Sequence, residues 1–208
     1  ASFGFDRQLF EDDVTGSLAW AEALAGAGVL SRGEATAIRT ALEEIRDRGR
    51  ADPGFVEGPD EDIHAFVERQ LIERVGDAGR RLHTGRSRNE QVSLDLRLYL
   101  RRRTAGLQRE LVALVDALAS RAEAAGPALM PSYTHLRRAQ PILVAHYFLA
   151  HAVAIRWDHR RLETAREEAD ALPLGSGAVA GTSYAIDTAA LAERLGFSRV
   201  VANSLDAT

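Results

Sequence analysis

A chain of 208 residues with 46% apolar side chains has enough nonpolar surface for a folded core, and room for one large domain or two small ones. Its formal charge of −4, from 26 basic and 30 acidic residues interspersed along the chain, excludes the broad positive field that draws nucleic acid or an anionic membrane surface. Cysteine is absent, which excludes disulfides, thiolate nucleophiles and zinc-cysteine sites, and makes the cytoplasm the expected setting.

In chain order, Val14, Leu18, Ala21, Leu24 and Ala25 recur at helical spacing behind an acidic first turn, and Gly26 and Gly28 end that helix. Ser31 with Glu34 spells a capping box ahead of Ala35, Ile38, Leu42 and Ile45, with Gly49 as the stop. After a loop punctuated by Pro and Gly, a third helix is expected from near Asp60 to Val75, on the stripe of Ile63, Val67 and Leu71. From Asn89 to Ala125, the residues Val92, Leu96, Leu100, Leu107, Leu111, Leu114, Leu118 and Ala122 hold helical spacing for roughly ten turns.

A further long helix is expected to open at Pro141 and run to Leu172. Its first half, residues 142–157, is apolar nearly all round and reads as a buried face, such as one between subunits; the second half is charged. His146, His151 and Arg156 interrupt the apolar run, which falls short of the roughly 20 residues of a membrane span. A small-residue stretch at 175–181 precedes a short helix at 187–195 that ends at Gly196. No segment shows strand alternation, so the expected fold class is all-α. The best boundary is the loop before Asn89, giving a small helical domain at 1–88 and a long-helix region at 89–208.

Four segments are able to carry chemistry. His83-Thr84-Gly85-Arg86-Ser87-Arg88-Asn89 stands before the longest helix, where free amides and the helix dipole favour an anion. It reads either as a capped helix start with solvated arginines or as a loop that binds a dicarboxylate through its forked and hydroxyl donors. Met130-Pro131-Ser132-Tyr133-Thr134-His135 sets a histidine beside a hydroxyl between two long helices, a pair suited to proton transfer and equally a plain linker. Asp60-Glu61-Asp62-Ile63-His64 puts acids at a helix start, for capping or for an active-site role of His64. A metal there finds no matching histidine pair, because His146 and His151 are five apart and face different ways. Gly175-Ser176-Gly177-Ala178-Val179-Ala180 matches a dinucleotide fingerprint in letters only, since a helix and not a strand precedes it.

Taken together, Glu61-Asp62-Ile63-His64, the segment 83–89 and Met130-Pro131-Ser132-Tyr133-Thr134-His135-Leu136 resemble the argininosuccinate lyase/delta-crystallin family of the fumarase/aspartase superfamily. Ala1-Ser2, Phe5-Asp6-Arg7, Ala139-Gln140-Pro141, residues 172–177 and residues 203–207 extend the resemblance along the whole chain. It implies a fumarase/aspartase-like fold, a small N-terminal helical domain followed by the long helices of a central bundle. It also implies reversible cleavage of argininosuccinate to arginine and fumarate, in arginine biosynthesis or the urea cycle. A base takes the proton beside a carboxylate, the carbanion delocalises as an aci-carboxylate, and an acid protonates the departing guanidinium nitrogen.

By motif position His135, Thr134 and His64 are the catalytic candidates. Ser2, Arg86, Ser87, Arg88, Asn89, Thr134 and Gln140 are the substrate-binding candidates, and Asp62 supports the site. The resemblance implies no cofactor and no metal, no nucleic-acid or membrane partner, and a homotetramer whose active sites are shared between subunits.

The family's loop Gly-Ser-Ser-x-Met-Pro-x-Lys-x-Asn, which carries a catalytic serine, does not occur: Met130 is the sole methionine and all 26 basic residues are arginine. The resemblance starts inside one motif and breaks off inside another, so both ends are expected to be clipped and the chain alone inactive. A non-catalytic, crystallin-like structural protein is the alternative.

Overall fold

The computed structural model describes residues 2–207. Ala1, part of the first matching motif, and Thr208 lie outside the described residues. Two compact units divide the chain, one of Ala1–Tyr99 with Asp170–Thr208 and one of Leu100–Ala169. This partition falls inside the longest helix and is not the boundary at 88/89 expected from the loop; the helix's first turns pack into the first unit's core through Leu94.

The first unit opens with α1 (Phe3–Asp6), a 3-10 turn at Arg7–Leu9 and α2 (Phe10–Gly26). α3 (Arg32–Ala51) starts on the expected capping box: Ser31 Oγ accepts from Glu34 N, and Ser31 N donates to Glu34 Oε2 at 2.8 Å. α4 (Ile63–Val75) begins three residues after Asp60, because Asp62 is extended and its carboxylate accepts from Ala65 N at 2.7 Å as the cap. α5 (Asp77–Arg81) follows Gly76, and α6 (Arg88–Ala125) matches the expected long helix. The core of this unit centres on Trp20, Leu24, Ile38, Leu42, Ile45, Ile63, Phe66 and Leu71. Phe66 takes the rings of Phe3, Phe10 and Phe55 at 5.4 to 6.4 Å between centroids.

In the second unit β1 (Leu129–Thr134) and β2 (Arg137–Leu143) form an antiparallel hairpin, which corrects the expectation of no strand. Its strands hide from pattern reading because they are mostly exposed on both faces and pair Pro131 with Pro141. The same hairpin delays the next helix: α7 (Val144–Glu168) starts three residues after Pro141 because residues 141–143 belong to β2. The apolar half of α7 is not buried within the chain. Tyr147, Leu149, Val153 and Trp157 are all exposed, and Ala152 is the buried residue of the helix. α8 (Thr188–Leu195) returns to the first unit, capped by Asp187 and ended by Gly196 in the left-handed conformation. Among the described residues no helix is long and apolar enough to cross a membrane.

Candidate active site

Three helices meet around a buried charge cluster. Acids and amides on α2 and α6 face His64, in the first turn of α4: its Nδ1 lies 2.8 Å from Asp13 Oδ1 and 3.2 Å from Asp95 Oδ2. Gln91 Nε2 donates to the same Asp13 oxygen, and Arg86 Nη1 donates to Ser17 Oγ at 3.3 Å. Asp13, Asp95, His64 and Arg86 are all buried. Burial works against a charged ring, but the hydrogen bonds and charges of Asp13 and Asp95 outweigh it and raise the His64 pKa to about 10. Burial opposes ionisation of Asp13 too, yet His64 and Arg86 hold its carboxyl below the usual range. Asp95 is the opposite case: burial and the Asp13 charge push it well above the ordinary carboxylate value. Asp13 therefore carries the negative charge most firmly, and His64 is an imidazolium at neutral pH.

The same three groups offer ligand atoms within 4.8 Å of one another, close enough for a metal ion. The 2.8 Å Nδ1–Oδ1 separation is that of a charged hydrogen bond, and Arg86 already supplies a second cation. The acidic run at 60–64 does not converge on a metal either. Asp60 pairs with Arg69 at 2.8 Å, Asp62 caps α4, and His64 turns inward.

The amino end of α6 sits beside this cluster. Ser87 N donates to Glu90 Oε1 at 2.9 Å, and Ser87 Oγ accepts from Asn89 N at 3.2 Å. Asn89 is exposed and Ser87 half-buried, so both hydroxyl and amide front the helix end. The two arginines of the segment are already engaged: Arg86 points into the interior, and Arg88 binds Glu68 at 2.9 Å and Gln91 at 2.8 Å. The crevice between α2, α4 and this loop measures about 10 Å³, room for one water at most. Ser2 lies at a neighbouring junction, its amide donating to Glu61 O at 2.8 Å and its hydroxyl to Asp6, which in turn accepts from Ile63 N.

Thr134, His135 and Gln140 belong to the hairpin of the second unit. His135 and Leu136 form its two-residue turn with φ of 49° and 60°, a conformation that favours glycine and asparagine. Non-glycine residues held there are strained, and such strain gathers at functional positions. The side chains of Thr134 and His135 are exposed, and Gln140 offers its carbonyl to Ser132 Oγ at 2.6 Å.

The structure thus links Ser2, Asp62 and His64 to the start of α4, and Arg86, Ser87, Arg88 and Asn89 to the start of α6. Sequence reasoning missed Asp13, Glu90, Gln91 and Asp95. Val92 and Leu96, which open the apolar repeat of α6, are exposed, while Glu90, Gln91, Leu94 and Asp95 are buried. The missed signal was four residues at helical spacing, with Glu90 one turn before Leu94 and Gln91 one turn before Asp95.

Solved structures share this fold. An EDDS lyase in complex with formate has a TM-score of 0.79 at 24% identity, over 96% of this chain and 39% of that chain. A fumarate lyase from Mesorhizobium sp. BNC1 has a TM-score of 0.73 at 22% identity, over 99% of this chain and 50% of that chain. The sequence pattern of a family described as lyase matches residues 1–208, and the chain belongs to that family. Similar relatives include the argininosuccinate lyase of Roseiflexus castenholzii, 47% identical over 99% of this chain and 45% of its own length. That of Synechococcus sp. strain JA-3-3Ab is 49% identical over 100% of this chain and 42% of its own length. The chain therefore spans less than half the length of these relatives.

Proposed function

We propose that the whole protein is an argininosuccinate lyase, cleaving argininosuccinate reversibly to arginine and fumarate by general acid/base β-elimination. The observation that carries this reading is the loop at 83–89, which fronts the amino end of α6 with Ser87 and Asn89 while its arginines are turned to other partners. Relatives named argininosuccinate lyase, at 47% and 49% identity over nearly all of this chain, support the substrate.

In this reading the amino end of α6 and the donors Ser87 and Asn89 hold a carboxylate of the succinyl group, with Ser2, Thr134 and Gln140 as further contacts. Charge grows on that carboxylate when the neighbouring carbon loses its proton, so donors fixed there stabilise the carbanion most. His135, on its exposed turn with Thr134 beside it, is the acid/base residue. His64, 3% exposed and held as an imidazolium, supports the site from the interior together with Asp62, and Arg86 and Arg88 hold the loop. In the whole protein residues 1–88 form a domain of substrate-binding loops and residues 89–208 the first part of a helical bundle.

The exposed apolar face of α7 supports a further part of the proposal: a cytoplasmic homotetramer with active sites shared between subunits. The test is fumarate absorbance from the full-length protein given argininosuccinate, with other succinyl-linked substrates in parallel. Release from argininosuccinate alone is the expected result. A folded protein that releases fumarate from none of them overturns the reading in favour of a crystallin-like structural homologue.

A further inference from the structure

Glu90 is 0% exposed, and its carboxylate is engaged by backbone on both oxygens. Oε1 accepts from Ser87 N at 2.9 Å, within the loop that fronts α6. Oε2 accepts from Gly175 N and Gly177 N, each at 2.9 Å, from a segment 85 and 87 residues further along the chain. A buried carboxylate is costly unless its lone pairs are met, and three amides meet them here. The letters that imitate a dinucleotide fingerprint thus serve to wrap one side chain.

The glycines make the wrap possible. Gly175 and Gly177 have φ of 100° and 61°, and a Cβ on Gly177 would lie 2.3 Å from Gly181 O. A second, independent contact brings the same strap along the same loop. A Cβ on Gly85 would come within 2.8 Å of the Tyr184 ring and 2.9 Å of Thr182 Oγ1. Residues 175–184 therefore lie against residues 85–90 at both ends of the segment.

We propose that Glu90 is a positioning residue for substrate: it locks the strap at 175–184 to the loop at 83–89 and so fixes where Ser87 and Asn89 meet the succinyl carboxylate. This rests on the functional reading above. Glu90 itself is covered and touches no substrate. Its amide-binding oxygens set the backbone of Ser87 from one side, and the strap closes the loop from the other.

The experiment compares KM and kcat of the full-length protein with those of Glu90→Gln and Glu90→Asp. Glutamine keeps the size but turns an NH2 toward amides that need an acceptor. Because the donors it misplaces hold the substrate and stabilise the carbanion most, KM for argininosuccinate and the inhibition constant of fumarate rise at least about tenfold and kcat falls as well. Aspartate keeps the charge and shows a smaller rise than glutamine. A merely structural role lowers the melting temperature or yield and leaves KM of the folded fraction unmoved.

A folded Glu90→Gln protein with KM and fumarate inhibition within about twofold of the parent overturns the inference and leaves the lyase reading standing. Should that variant not fold, Glu90→Asp decides by the same criterion. A parent that leaves argininosuccinate uncleaved overturns the functional reading itself, and this inference falls with it.

Discussion

His64 and His135 are the same side chain in opposite settings. His64 sits in the first turn of α4 with 3% of its surface exposed, between two carboxylates and with Arg86 in the same cluster. His135 stands on the two-residue turn of a hairpin, exposed, in a backbone conformation that a histidine rarely adopts. A ring whose charge is fixed by buried partners gives up its proton only at high pH, and so serves as structure. A ring held out on a strained turn is exposed, the setting that the proposed acid/base role requires. Motif spacing gives both histidines equal standing, and burial separates them.

The largest effect expected from breaking this contrast is on the buried side. Asp13→Ala leaves the imidazolium and Arg86 facing only Asp95, the weaker of the two negative partners, with an unmet donor on Gln91. Removing one partner of a buried ion pair costs about 3–5 kcal/mol, measured as the loss of unfolding free energy in urea. A loss below about 1 kcal/mol, the scale of a surface pair, would mean that the cluster is not the anchor described here.

On the exposed side the effect moves from stability to rate. His135→Asn in the full-length protein is expected to lower kcat at least about a hundredfold, about 2.7 kcal/mol of barrier, with little change in melting temperature. An unchanged kcat removes His135 from the mechanism and dissolves the comparison.

Titration sharpens the same contrast with a smaller effect per step. The folded His64 pKa, about 10, lies above its ordinary 6.5. Its contribution is therefore present in full below pH 6.5 and is lost as pH rises toward 10, because across that window the folded state keeps a proton that the unfolded chain releases. Stability should fall by up to about 1.4 kcal/mol per pH unit there. The measurement is the urea midpoint from pH 6.5 to 10 for the protein and for His64→Gln, in which this slope should vanish. Equal slopes in the two proteins would show that the imidazolium is not the group responsible.

These residues also mark how far sequence alone reached. The Ser31–Glu34 box, the Asp62 cap and the Gly196 stop were legible because each acts within four residues of itself. Ser87, Asn89 and His135 stand out as candidates through the motifs that contain them. Asp13, Asp95 and Glu90 were not, because their meaning lies in partners 31 to 87 residues away, and an acidic residue in a helix reads as a solvated face until those partners are known. The hairpin stayed hidden for a different reason: exposed on both faces, it has no buried side to impose a period of two. The apolar half of α7 reads in sequence as a buried face, and within this chain Tyr147, Leu149, Val153 and Trp157 are exposed.

The smallest predicted effect tests how the buried histidine is aimed. Asp62 lies two residues before His64, and its carboxylate caps the turn that carries the ring, accepting from Ala65 N at 2.7 Å. Asp62→Ala should cost about 1 kcal/mol, the usual value of a helix cap, and fray the first turn of α4. Asp62→Asn separates capping from charge, since asparagine caps as well as aspartate but carries no charge into the neighbourhood of the imidazolium. If Asp62 acts only as a cap, asparagine restores nearly all of the lost unfolding free energy, and the His64 charge depends on Asp13 and Asp95 alone. If asparagine is as damaging as alanine, Asp62 belongs to the charge cluster as a third carboxylate, and the division between a capping acid and a pairing acid drawn for this helix start has to be redrawn.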